Sequence, residues 1–249
     1  MESNETKNGN REPRKNAAGT GEVNTLLADC ARIYRLFGME YAQEQMLALI
    51  KRSPEVFSAA DSLVQRILEA ARELKNSIIE DDIEKLQISR EETVDLAGRL
   101  YELAITQSEP PRRDDLIRET AFFYLAVGKA DSFLKWSRKL LDLVQDDRDE
   151  HRATLFAFGL AQIFIDEPAQ AELTFHRLLF LFPKSQEGYF GLALAYLKLG
   201  NDAQVGKMLD AIKTGAPELA RIVIRLAAVD DFTADDYAAE METLDNSQT

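Results

Sequence analysis

Two consecutive stretches decide the fold of this chain: 152-RATLFAFGLAQIFIDEPAQAELTFHRLLFLFPKS-185 and 186-QEGYFGLALAYLKLGNDAQVGKMLDAIKTGAPEL-219. Aligned one above the other, they share a register. Numbering each stretch from 1, Leu155 and Tyr189 stand at position 4, Phe158 and Leu192 at 7, and Gly159 and Ala193 at 8. Ala171 and Val205 stand at 20, Phe175 and Leu209 at 24, Leu178 and Ile212 at 27, and Pro183 and Pro217 at 32. Tyr196 and Gly200 occupy positions 11 and 15 of the second stretch. Apolar residues at helical spacing, a break near the middle and a closing proline describe a pair of helices repeated with a fixed period. The small residue at 8 lets the first helix approach the second. Val205 is larger than this register prefers.

The run 178-LLFLFPKSQEGYFGLALAYLKLG-200 inside these repeats is rich enough in apolar residues to raise the question of a membrane span. Pro183, Lys184 and Glu187 split it into two short pieces, below the roughly 18 apolar residues a spanning helix needs. A helix pair that buries one face within its own unit and others against neighbouring units explains the same residues.

The register extends upstream with less fidelity. A unit begun at Asp114 matches at Ile117, Ala121, Tyr124, Gly128, Phe133 and Leu140, while Thr120 and Ser137 depart from it. Extra residues around DDRDEH separate it from Arg152. A fainter echo begins at Asn24, with Leu27, Cys30, Ala31, Tyr34, Gly38 and Leu47. After Pro217, ELARIVIRLAAV and DDYAAEMETL read as terminal capping helices.

The 34-residue spacing resembles the tetratricopeptide repeat (TPR) family. The fold expected is all-α: a TPR-like superhelix of helical hairpins preceded by an N-terminal helical region and a disordered tail. Residues 1–22 lack a large apolar residue after Met1 and read as the tail. Residues 23–107 read as helices, either degenerate repeats or a separate bundle. One helix runs to Gly38, a second closes at Ser53-Pro54, and a third carries Leu63 to Leu74 and ends near Asn76. Ser89 with Glu92 forms a capping-box signature for a fourth. SEPPRRDD then marks the boundary, and 108–249 is the TPR-like domain.

The resemblance also implies a function. TPR arrays bind proteins in a hollow lined by the first helix of each hairpin, at positions 2, 5, 6, 9, 12 and 13. Here those positions supply Phe122, Phe156, Leu160, Phe164, Phe190 and Leu194, an apolar lining. The Lys, Asn and Arg clamp by which some TPR domains hold the acidic tails of heat-shock chaperones is missing apart from Arg118. The expected role is therefore that of a protein-binding chaperone or adaptor. It would hold an apolar segment of a client, as the small TPR chaperones of bacterial type III secretion do. The alternative is a structural assembly subunit or homodimer whose hollow is permanently filled by a partner, a second copy or the chain's own terminal helix.

Composition narrows the remaining classes. The 249 residues carry 30 Lys and Arg against 43 Asp and Glu, a net charge of −13 that repels phosphate and argues against nucleic acid as a partner. One cysteine allows no internal disulfide, and the N-terminus has no secretory apolar core, so a cytoplasmic location without membrane insertion is expected. No cofactor or metal motif occurs, and no enzyme is expected. Cys30, Trp136, His151 and His176 read as core or surface residues.

Overall fold

The computed structural model describes residues 17–53, 63–86 and 88–246. The expected all-α class holds: the described residues form eleven α-helices and one 3₁₀ turn at Glu84–Leu86, with no strand among them. No helix among them is long and apolar enough to cross a membrane. The chain divides into two compact units, after Ser108; the sequence boundary was drawn between 107 and 108.

In the first unit, α1 (Ala17–Arg52), α2 (Leu63–Ile79) and α3 (Arg90–Thr106) pack around a shared core. Leu27, Cys30, Ile50, Ile67, Leu74, Leu100 and Tyr101 are fully buried in it. The expected helix end at Gly38 is corrected here, because α1 runs through that position unbroken. A single helical glycine costs only about 1 kcal/mol. Burial of Leu27, Cys30, Ala42, Met46 and Ile50 on both sides of it outweighs that cost. The repeat echo that began at Asn24 required a turn at Gly38, so it is not a hairpin. The expected disordered tail is also shortened, since residues 17–22 belong to α1 and the remainder lies outside the described residues. Arg66 Nη1 donates to the Ile50 carbonyl (3.4 Å) and so serves an open carbonyl in the last turn of α1. At Ser89 the capping box forms as read: Glu92 N–H donates to the serine hydroxyl (3.1 Å), and Ser89 N–H to the Glu92 carboxylate (2.8 Å).

The second unit is a TPR-like stack of hairpins. Its pairs are α4 (Arg112–Ala126) with α5 (Ala130–Leu143), α6 (Arg148–Phe164) with α7 (Pro168–Leu181), and α8 (Gln186–Lys198) with α9 (Asp202–Lys213). Then follow α10 (Pro217–Leu226) and α11 (Ala234–Asn246), where the capping helices were expected. Thr120 and Ser137, the two departures from the register, are fully buried. Each satisfies its hydroxyl locally: Thr120 donates to the Leu116 carbonyl (2.6 Å) and Ser137 to that of Phe133.

The turn inside each hairpin is the same object three times. Position 15 is Gly128, Asp166 or Gly200, and all three adopt left-handed backbone, with φ of 74°, 63° and 66°. The next residue's N–H closes the turn in each case: Lys129 to Tyr124 O (2.9 Å), Glu167 to Gln162 O (2.8 Å) and Asn201 to Tyr196 O (2.9 Å). The middle turn therefore holds an aspartate where its neighbours use glycine. Asp166→Gly should stabilise the protein by about 0.5–1 kcal/mol, since the Cβ clash in this conformation disappears. Gly128→Ala should cost a similar amount. Urea unfolding of both variants checks the pair.

Candidate functional site

Helices α6, α7 and α8 of the second unit meet at one ring. Phe175, at position 24 of the α6–α7 hairpin, is fully buried. Gly159 of α6 and Gly191 of α8 approach so closely that a Cβ on them would meet the ring at 2.5 and 2.2 Å. The register identified Gly159 as a contact residue. Gly191 stands at position 6 of its unit, a hollow-lining position in that register, yet it packs on the preceding hairpin. A glycine in a helix interior, disfavoured by about 1 kcal/mol, was the available signal.

The apolar lining reaches the same ring. Phe156 stands 6.1 Å from Phe175 and 6.3 Å from Phe190, centroid to centroid. Of the six residues expected to line the hollow, Phe122 is 46% exposed, and its neighbour Leu125 is 44% exposed. Phe156, Leu160 and Phe164 are partly buried. Phe190 and Leu194 are fully buried, so these two offer no open surface to a partner.

Part of that burial comes from the chain itself. Tyr237 of α11 places its ring 5.5 Å from Phe164 and 6.3 Å from Phe190. Burial pushes its phenol pKa up to about 12. The terminal helix is steered there by contacts on its approach. Lys198 of α8 pairs with Asp231 and lies 4.7 Å over the Phe232 ring, and Phe232 is buried. Thr233 caps α11: Asp236 N–H donates to its hydroxyl (3.3 Å), and its own N–H donates to the Asp236 carboxylate (2.8 Å). Arg225 of α10 meets Glu240 at 3.0 Å. Among the α11 side chains with described surroundings none is fully buried, and the apolar ones that are half-buried are Tyr237, Met241 and Leu244.

Two basic residues stand at hollow-lining positions, Arg118 and Lys198; Lys198 pairs with Asp231, and Arg118 is engaged as well. It bonds the Glu150 carboxylate through Nε and Nη2 and the Asp115 carboxylate through Nη1 (3.0 Å). These bonds raise its pKa further and leave no open clamp for an acidic tail.

Other chemistry-bearing side chains lie elsewhere. Cys30 is fully buried, and burial, reinforced by Asp29, pushes its thiol up to about 12, so it is no nucleophile near neutral pH. His176 is half exposed and lies 3.3 Å from the Tyr196 hydroxyl. Trp136 is buried on α5, with Lys139 4.1 Å over its ring. Among the described residues no group of three or more His, Cys, Asp or Glu side chains could hold a metal ion.

No family model matches the chain, and no curated protein does. A solved structure described as "Functional Characterization of Pseudomonas Aeruginosa pilF" is similar in outline: 17% identity over 92% of this chain and 93% of that one, at a TM-score of 0.42. At that score the likeness carries no weight, and the repeat assignment rests on the register of the hairpins themselves.

Proposed function

We propose that this chain is a non-enzymatic protein-binding adaptor or chaperone, which holds an apolar helical segment of a client in the hollow lined by α4, α6 and α8. The single observation carrying this reading is the seat of Tyr237 among Phe164 and Phe190. The hollow already accepts an aromatic residue from an amphipathic helix, so α11 serves as an internal stand-in for a client. Phe122 and Leu125 extend the apolar lining, and their exposure leaves them open to contact. A type III secretion chaperone is one biological setting of this kind, and a reducing cytoplasm fits the single buried Cys30.

The same observation favours a second reading, in which α11 fills the hollow permanently and the chain is a structural assembly subunit. The labelled peptide 230-DDFTADDYAAEMETLDN-246 separates the two. Added to the full-length Tyr237→Ala variant, it should bind, and Phe156→Ser with Leu160→Ser should weaken that binding about tenfold or more. Failure of the peptide to bind a folded Tyr237→Ala protein would overturn both readings, since each seats α11 in the hollow. Binding to the native protein as well, in exchange with its own α11, is expected of a client holder, and its absence there would leave the self-filled subunit.

A further inference from the structure

A second feature lies at the start of α6 and the end of α7. A cleft of about 590 Å³ is lined there by Gln145, Arg148, His151, Arg177, Leu181 and Phe182, with Phe180 at its rim. No acidic side chain lines it. In a chain with 43 acidic residues, two arginines facing one cleft without an ion-pair partner among the described residues stand out. Arg148 lies 5.5 Å over the Phe182 ring, which holds the guanidinium at the cleft wall.

His151 forms part of the same wall. It is 7% exposed, its ring meets Phe182 edge-on at 6.0 Å, and its Nε2 has no hydrogen-bond partner among the described residues. Burial, then the charge of Arg177, lowers its pKa and favours the neutral ring. An adjoining cleft of about 710 Å³ shares Arg148 and Phe182 and adds Arg152 and Lys184. Its acidic residues are Glu187 and Glu218, of which Glu187 accepts a hydrogen bond from the Ser185 hydroxyl (2.7 Å).

The apolar surroundings distinguish between kinds of anion. Phe180 is 83% exposed and Leu173 63% exposed. With Arg177 they form one stripe on α7, because residues 173, 177 and 180 recur at helical spacing. The stripe spans about 10 Å, beyond the reach of a small inorganic anion. A ligand that uses both the arginines and the stripe is an extended or helical peptide carrying carboxylates beside apolar side chains.

We propose that this cleft is a docking site for an acidic, apolar-containing peptide segment of a partner protein. Its carboxylates sit between Arg148 and Arg177, and its apolar side chains lie on Phe180 and Leu173. The site belongs to the junction of α6 and α7 and does not use Tyr237 or the hollow, so it stands independently of the client-holding reading.

The experiment uses the full-length protein and a fluorescein-labelled decapeptide of alternating Glu and Leu, with a Lys–Leu decapeptide, inorganic phosphate and phosphatidylserine vesicles as comparison probes. Saturable anisotropy with the Glu–Leu peptide is expected. Arg148→Gln with Arg177→Gln should weaken it about tenfold or more. The surface substitution Phe180→Ser, which disturbs no buried side chain, should weaken it about threefold or more. Equal binding by the arginine variant at unchanged Tm, no binding by the native protein, or stronger binding of the Lys–Leu peptide would overturn the proposal. So would displacement by phosphate without any effect of Phe180→Ser, which marks a small-anion site. Recruitment to the vesicles lost in the arginine variant, without peptide binding, marks a membrane site and overturns it equally.

Discussion

Gly191→Ala should destabilise the protein by about 1–3 kcal/mol, although alanine is the better helix former by about 1 kcal/mol. The new methyl group would lie 2.2 Å from the Phe175 ring, inside any tolerable contact. The ring has little freedom to retreat, since it is fully buried and Gly159 of α6 lies so near that a Cβ there would also meet it, at 2.5 Å. Gly159→Ala should behave in the same direction. Gly206→Ala supplies the control. It lies inside α9 with nothing within 4 Å of its missing Cβ, so it should gain stability by up to about 1 kcal/mol. Phe175→Leu alone should cost stability through lost contacts, yet combined with Gly191→Ala it should cost less than the sum. A coupling of about 1 kcal/mol or more between positions 175 and 191, from urea midpoints of the four proteins, is the expected signature. Strict additivity would mean that the ring does not set the spacing of α6, α7 and α8.

The second large effect concerns the terminal helix. Tyr237→Ala should release α11 from the hollow while the three hairpins stay folded. The lost ring burial and the contacts with Phe164 and Phe190 amount to about 2 kcal/mol, or roughly a thirtyfold shift in the docking equilibrium. Hydrogen exchange over 234–246 should then rise sharply, with little change over α6 and α8. The native phenol carries a second readout. Its pKa near 12 reflects burial, so absorbance titration should show a phase well above the ordinary value near 10 that is diminished in the Tyr237→Phe protein, while Tyr196, raised by burial and by Glu172, titrates late in both. Unchanged exchange in Tyr237→Ala would show that the ion pairs Arg225–Glu240 and Lys198–Asp231 hold α11 without the ring.

These two effects divide along the line between pattern and packing. The hairpins from α4 to α9 were legible because each position in a 34-residue register answers to one local requirement: a small contact residue, an apolar stripe, a turn, a proline stop. Thr120 and Ser137 broke the pattern without breaking the fold, since a helix can accept a buried hydroxyl on its own carbonyl. Asp166 concealed the third left-handed turn, because aspartate is one of the few residues other than glycine that visit that backbone, at some cost. Gly38 misled in the opposite direction, suggesting an end where burial along both halves of α1 carries the helix through.

What the sequence determined by itself was the class, the hairpin register and the apolar character of the inner face, all of which depend on neighbours three, four and 34 residues away. What only the tertiary structure decided was which of those apolar side chains remain open. Phe190 and Leu194 are closed, with Tyr237 seated against Phe190, while Phe122 is left accessible. It also brought Arg148 and Arg177 to one cleft beside Phe180. Periodicity reports the face on which a residue stands. The occupant of that face depends on contacts between residues more than 40 positions apart, as Phe190 and Tyr237 are, and no local pattern encodes these.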